Sequence, residues 1–187
     1  KRTAHVEAFA NKYSMTMNDT FISEPVMPLP DPSKFDVDNE KAMLGLAMYH
    51  DTRLSIDSTV SCASCHALDS AGQDNSRFAR GVGSQFGGIS APSVYNAVFN
   101  VQQFWNGRAA DLQGQAGGPP ANPIEMGYEN WDDIVAYLRT QPDLVARFAA
   151  IYGAEGITQN TVTDAIAEFE RLLVTPNSPF DKYLLGD

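Results

Sequence analysis

Two thiols and an imidazole stand together in Cys62-Ala63-Ser64-Cys65-His66, and no other arrangement in the chain is as specific. The cysteines are about one helical turn apart, so both sulfurs can reach the vinyl groups along one edge of a porphyrin while the adjacent histidine swings under the iron. The motif reads as a covalent haem c site, with Cys62 and Cys65 as thioethers and His66 as the iron ligand. A zinc site would need about four protein ligands, and the chain has only these two cysteines and three histidines, His5, His50 and His66. A redox disulfide of the thioredoxin kind would need βαβ patterning around the pair. The flanks 57–61 and 67–70 do not show it.

Composition bounds what such a site can serve. The chain has 187 residues, 43% of them hydrophobic, enough for one domain with a sizeable core. A net charge of −10 excludes nucleic acid, whose phosphates would be repelled, and favours a partner with a basic docking face. No apolar run approaches the length of a membrane span. The start Lys1-Arg2-Thr3 carries no signal peptide, which fits a mature or trimmed form. Haem of this kind is attached on the outer face of the bacterial inner membrane, so the motif implies the periplasm.

The elements that must position the motif read as short helices joined by long loops, an all-α chain without convincing strands or repeats. Prolines 28, 30 and 32 make residues 1–38 an extended N-terminal arm lying on the surface, ahead of a haem domain over 39–187. Asn39 is expected to cap a helix carrying Met43, Leu44, Ala47 and Met48, and a haem-motif helix is expected around Val60 to Leu68. Residues 81–88 are too rich in glycine for a helix and read as a mobile loop. Further on, Asn130 caps a run with Trp131, Ile134, Val135 and Leu138 on one face, and Leu144, Phe148 and Ile151 form a second stripe that Gly153 ends. Thr161 with Asp164 resembles a capping pair before Val162, Ile166, Phe169 and Leu173, with Pro176 as the stop. Ser178 and Pro179 open a last short helix.

Read together, several motifs resemble the N-terminal haem domain of bacterial di-haem cytochrome c peroxidases, the group that includes MauG. They are Leu54-Ser55, the haem motif, the stretch 91–99 (APSVYNAVF), Gln103-Phe104-Trp105-Asn106-Gly107-Arg108-Ala109, Asn122-Pro123-Ile124-Glu125-Met126 and the closing stretch 172–181 (LLVTPNSPFD). The likeness runs from about Pro28 to the end. It implies a cytochrome c-like helical domain around one covalent haem, and it implies that the family's second haem domain would begin just after Asp187. The chain is then either part of a longer protein or a one-haem relative.

The resemblance also implies roles. His66 is the proximal ligand of the haem that meets hydrogen peroxide. Glu125 matches the glutamate that takes a proton from one peroxide oxygen and returns it to the other, general acid/base work for a carboxylate near a low-dielectric face. By default a lone glutamate after a turn is a solvated loop residue. Gln115 matches the accompanying glutamine, whose amide can both donate and accept. Phe104 and Trp105 would by default be core aromatics; the resemblance assigns Phe104 to the haem pocket and Trp105 to electron transfer between two haems. Many members carry a histidine in the glycine loop that caps the resting iron. Here that place holds Val82, or Ser84, so a resting haem open to peroxide is expected. His50 and His5 read as packing or surface residues. Ser90 stands where the family often has an asparagine near an inter-domain calcium, which weakens the case for that ion. Electrons would come from a small cytochrome c or cupredoxin, and a homodimer is a further expectation.

Two functions of different class follow. One is a peroxidase domain reducing hydrogen peroxide to water through a second haem. The other is a monohaem electron-transfer cytochrome c, with a methionine filling the sixth iron position. Met126 is the candidate sulfur, since axial methionine raises the haem potential and closes the iron.

Overall fold

The computed structural model describes residues 26–186. Those residues form seven α-helices and no strand, only two isolated bridges, Arg80 with Phe86 and Gln103 with Ala109. The all-α expectation holds.

Helix α1 (Asn39–Tyr49) starts one residue before the expected register, because Asp38 rather than Asn39 is the cap. Its carboxylate accepts the Glu40 and Lys41 N–H groups at 3.0 and 3.1 Å. The haem-motif helix is shorter than the periodicity suggests: α2 is Cys62–Cys65 alone, and His66 leaves helical geometry at φ −127°, ψ 58°. After α3 (Leu112–Ala116) come α4 (Trp131–Leu138), capped by Asn130 as expected, and α5 (Pro142–Tyr152), ended by Gly153. Helix α6 (Gln159–Glu170) begins earlier than expected. Thr158 is its cap and Thr161 the reciprocal partner, with the Thr161 N–H donating to Thr158 Oγ1 at 3.1 Å. Ser178 and Asp181 form the corresponding box at the start of α7 (Pro179–Leu185).

The main core lies where α1, α4, α5 and α6 converge, around Leu44, Met48, Ile134, Leu138, Phe148 and Ile166, all of them buried. Burial of each such side chain stabilises the fold by roughly 1.5–3 kcal/mol. α1 and α6 are in close contact along their length, and Gly45 shows why. A Cβ there would overlap the Ala165 carbonyl and press on Phe169 Cβ, so the two backbones touch only because residue 45 has no side chain.

The N-terminal arm before residue 26, with His5, lies outside the described residues. From there on it is pinned rather than draped over the surface, and Pro32–Lys34 forms a 3-10 turn. The Leu29 N–H donates to Asp181 at 2.8 Å, and Phe35 is buried against Val98, Leu112 and Ala167. Apolar side chains at 29, 35 and 37 need cover that a purely surface path would not provide.

Replacing Gly45 by Ala is expected to destabilise the domain by about 1–3 kcal/mol, since the crossing has no room to relax. A lowered urea midpoint for Gly45→Ala with an unchanged slope checks this; an unchanged midpoint would mean that the helices can separate freely.

Candidate haem site and its open side

The loop into the motif is folded around one buried hydroxyl. Ser55 Oγ accepts the N–H groups of Thr59 and Val60 at 3.1 and 3.0 Å while donating to the Thr52 carbonyl at 2.9 Å. This turns the chain into α2, where Ser64 Oγ accepts the Ser61 N–H at 3.0 Å. Cys62 and Cys65 are both half-buried free thiols. Burial pushes the Cys62 thiol up to about 12 and raises Cys65 as well, so neither is the thiolate that a redox or zinc site would use at neutral pH. Among the described residues no three His, Cys, Asp or Glu side chains converge as a metal cage.

His66 is held for a different task. Its Nδ1 lies 2.9 Å from the Pro92 carbonyl, an acceptor, so Nδ1 carries the proton and Nε2 keeps its lone pair. Burial lowers the pKa of the ring, which favours the neutral, ligating form. The Tyr49 hydroxyl donates to the His66 carbonyl at 2.6 Å and ties α1 to the point where the motif helix breaks. These residues fit a covalently attached haem c: two thiols on one helical turn and an imidazole with its outer nitrogen anchored.

Glu125 sits in a turn that two neighbouring loops clasp. Its carbonyl accepts the Val82 N–H at 2.9 Å, and the next carbonyl, Met126, accepts the Ile56 N–H at 2.9 Å. The approach of the 81–88 loop is so close that a Cβ on Gly81 would overlap the Ile124 and Glu125 carbonyls. The glycines expected to give a mobile loop thus include one that lets backbone meet backbone. The Glu125 side chain is half-buried, with Asn122 Nδ2 donating to Oε1 at 2.9 Å. Burial raises its pKa above the ordinary carboxylate value, against the opposing pull of the Arg108 charge and the Asn122 hydrogen bond. The charge of Glu125 in turn raises the pKa of Cys65, so the carboxyl lies on the side of the motif that carries the second thioether.

Phe104 and Arg108 lie beside it. Phe104 is half-buried with a left-handed backbone (φ 66°), a costly state for a bulky residue. The Arg108 guanidinium stacks on its ring at 3.3 Å from the centroid. The loop is closed by paired backbone bonds between Gln103 and Ala109. The Phe104 ring packs at Gly118, close to the backbone of Gln115. Gln115 itself is half-buried on α3, and its side chain makes no hydrogen bond among the described residues.

Trp105 departs from the default core reading. It is 66% exposed, and its indole N–H donates to the Ser90 carbonyl at 3.0 Å, which holds it at the surface. Met126 is 3% exposed within the main core and Val82 is buried, while His50 is exposed against Tyr49. Arg108, Asn122, Pro92 and Tyr49 were given no role from sequence. Only Asn122 carries a local signal, an Asx residue three positions before Glu125 in a turn.

The helical fold and the motif define a c-type cytochrome domain that carries haem c. Its family is di-haem cytochrome c peroxidase: the family model matches residues 39–187, and the chain belongs to that family. The Cytochrome c peroxidase Ccp of Escherichia coli K12 is 55% identical over 165 residues, which cover 88% of this chain and 35% of that protein. The Cytochrome c551 peroxidase of Nitrosomonas europaea is 42% identical, over 88% of this chain and 48% of the relative. A crystal structure of a MauG-like protein associated with microbial copper homeostasis superposes with a TM-score of 0.72 at 31% identity, covering 91% of this chain and 51% of that one. The chain thus spans 35% and 48% of the length of these two curated relatives.

Replacing His66 with Gly should leave both thioether positions intact while removing the imidazole ligand. The absorption spectrum of the purified variant is expected to lose the wild-type Soret position, and an unaltered spectrum would exclude His66 as ligand.

Proposed function

We propose that this chain is the peroxide-facing haem domain of a cytochrome c peroxidase. It reduces hydrogen peroxide to water with electrons that a small cytochrome c or cupredoxin delivers through a second haem. The observation that carries this reading is Glu125: a half-buried carboxyl, aligned by Asn122 and felt by Cys65, in a turn clasped by the loops at Ile56 and Val82. An electron carrier has no need of such a group. Met126, the sulfur that would fill the sixth position in that alternative, is part of the core instead.

Haem c, held by Cys62, Cys65 and His66, would supply the electron-accepting and electron-donating centre. The protein's share of the reaction is proton handling. Hydrogen peroxide, two electrons and two protons give two waters. In this reading Glu125 takes a proton from one peroxide oxygen and delivers it to the other, so that the leaving group departs as water rather than hydroxide. Asn122 fixes the oxygen that does not move the proton. Gln115, whose amide is free of other partners, orients peroxide by donating to one oxygen and accepting from the other. Phe104 forms an apolar wall, and Arg108 above its ring supplies positive charge where negative charge develops.

The exposed indole of Trp105 suits a contact with the second haem domain of a longer protein, as an electron path. Calcium stands outside this reading: Ser90 offers a hydroxyl where a stronger oxygen ligand would be needed, and its carbonyl accepts the Trp105 indole. No helix among the described residues is long and apolar enough to cross a membrane. Haem attachment of this kind puts the protein in the periplasm. The domain boundary at residue 39 and a homodimer complete the reading.

Glu125→Gln should retain haem and lose peroxide cleavage by on the order of a hundredfold or more. The rate in the wild type should rise with pH through a limb above the ordinary glutamate value of about 4.3, because burial raises the Glu125 pKa and the carboxylate is the working form. Stopped-flow mixing of ferrous and ferric protein with peroxide across pH measures both; cleavage at the wild-type rate in Glu125→Gln would sink the assignment.

A further inference from the structure

Glu170 has no place in the chemistry above and no partner of its own. It ends α6, is 5% exposed, and its carboxyl makes no hydrogen bond among the described residues. The neighbouring arginine is not available to it, because Arg171 Nη1 is engaged by Glu168 at 2.8 Å. A buried carboxyl without hydrogen bond or cation is rare enough in native proteins to require a reason, and redox or proton chemistry is one of the few.

Its surroundings supply that reason. Phe169 and Leu173, one residue before and three after, belong to the same apolar cluster as Tyr49 of α1 and Cys62, Ala63 and Leu68 of the motif segment. The Phe169 ring meets Tyr49 edge-on at 5.2 Å, and the Tyr49 hydroxyl reaches the His66 carbonyl. Glu170 therefore lies beneath the haem motif, on the side of the first thioether, away from the Glu125 turn that flanks Cys65. The titratable groups around it are Tyr49 from α1 and Cys62 from α2, and both register its charge. Both are neutral: burial keeps the Tyr49 phenol protonated, and Cys62 would be a thioether. No other charged group among the described residues acts on Glu170.

We propose that Glu170 is the proton partner of the haem, binding one proton when the iron is reduced and releasing it when the iron is oxidised. The step balances as ferric haem with Glu170 carboxylate, plus one electron from the donor protein and one proton from water, giving ferrous haem with Glu170 carboxylic acid. The physical basis is mutual: the extra positive charge of the ferric state favours a nearby carboxylate, and its loss favours the neutral acid. Burial alone lifts the Glu170 carboxyl to about 8, which brings its titration into the range where the protein works. This inference rests on haem attachment at Cys62 and Cys65, and not on the peroxide role of Glu125.

The test is potentiometry of the haem-loaded protein from pH 5 to pH 10. In the wild type the midpoint potential should fall with rising pH over a central window, at up to about 59 mV per pH unit for one proton per electron. In Glu170→Gln the slope in that window should vanish while the Glu125→Gln variant keeps it. The same slope in Glu170→Gln would assign the proton elsewhere, for instance to a haem propionate, and overturn the proposal. So would a wild-type potential that does not change with pH. Should the Gln variant fail to take up haem, redox-difference infrared spectroscopy of the wild type decides: a buried carboxylic acid carbonyl band must appear on reduction, and its absence refutes Glu170.

Discussion

The contact on which the rest of the structure depends is the crossing of α1 and α6 at Gly45, where a helix backbone rests against the Ala165 carbonyl with no side chain between them. That approach sets the distance at which Leu44, Met48, Val162 and Ile166 fill the core. It also fixes what comes one turn later. Tyr49 reaches the His66 carbonyl and meets Phe169 edge-on, so the haem motif is attached to the helix pair rather than to a loop. Glu170 is carried beneath the motif by the same geometry. A larger residue at position 45 would therefore disturb the iron ligand's anchor as well as the core.

On the other side of the motif the constraint is a turn. Glu125 and Met126 give their carbonyls to Val82 and Ile56, so the entry to α2 and the glycine loop are both hydrogen-bonded to the turn that bears the carboxyl. A rigid turn of this kind suits a group whose work depends on orientation. The strained Phe104, with Arg108 on its ring, adds a polar and an apolar wall at the same place. Two carboxyls thus flank one motif in different ways. Glu125 is partly buried, aligned by Asn122 and influenced by Arg108; Glu170 is fully enclosed and unpaired.

The signals that were legible in the sequence are local ones. The thiol and imidazole spacing needs only one helical turn, and the caps at Asn130 and Ser178 need only three residues. Register errors arose where two capping side chains compete: Asp38 displaces Asn39, and Thr158 displaces Thr161, because the better placed oxygen reaches the free N–H groups. The motif helix stops at Cys65 for a reason no window of sequence contains, since the His66 carbonyl and ring are claimed by Tyr49 and Pro92. Glycine content in 81–88 was read as mobility. The close approach that requires Gly81 comes from residues more than 40 positions away. Trp105 carried the default of a core aromatic, and its exposure depends on a partner carbonyl at Ser90. The positions of Glu125 and Gln115 as candidate residues came from the resemblance, not from periodicity.

The claim at the centre of this account is that the haem held by His66 is open on the side that faces Glu125. Electron paramagnetic resonance of the ferric, haem-loaded protein, before and after addition of cyanide, tests it most directly. An open face gives a high-spin signal that converts to low spin as cyanide binds. A low-spin spectrum that ignores cyanide would show a filled sixth position, and would replace the peroxide reading with that of an electron carrier.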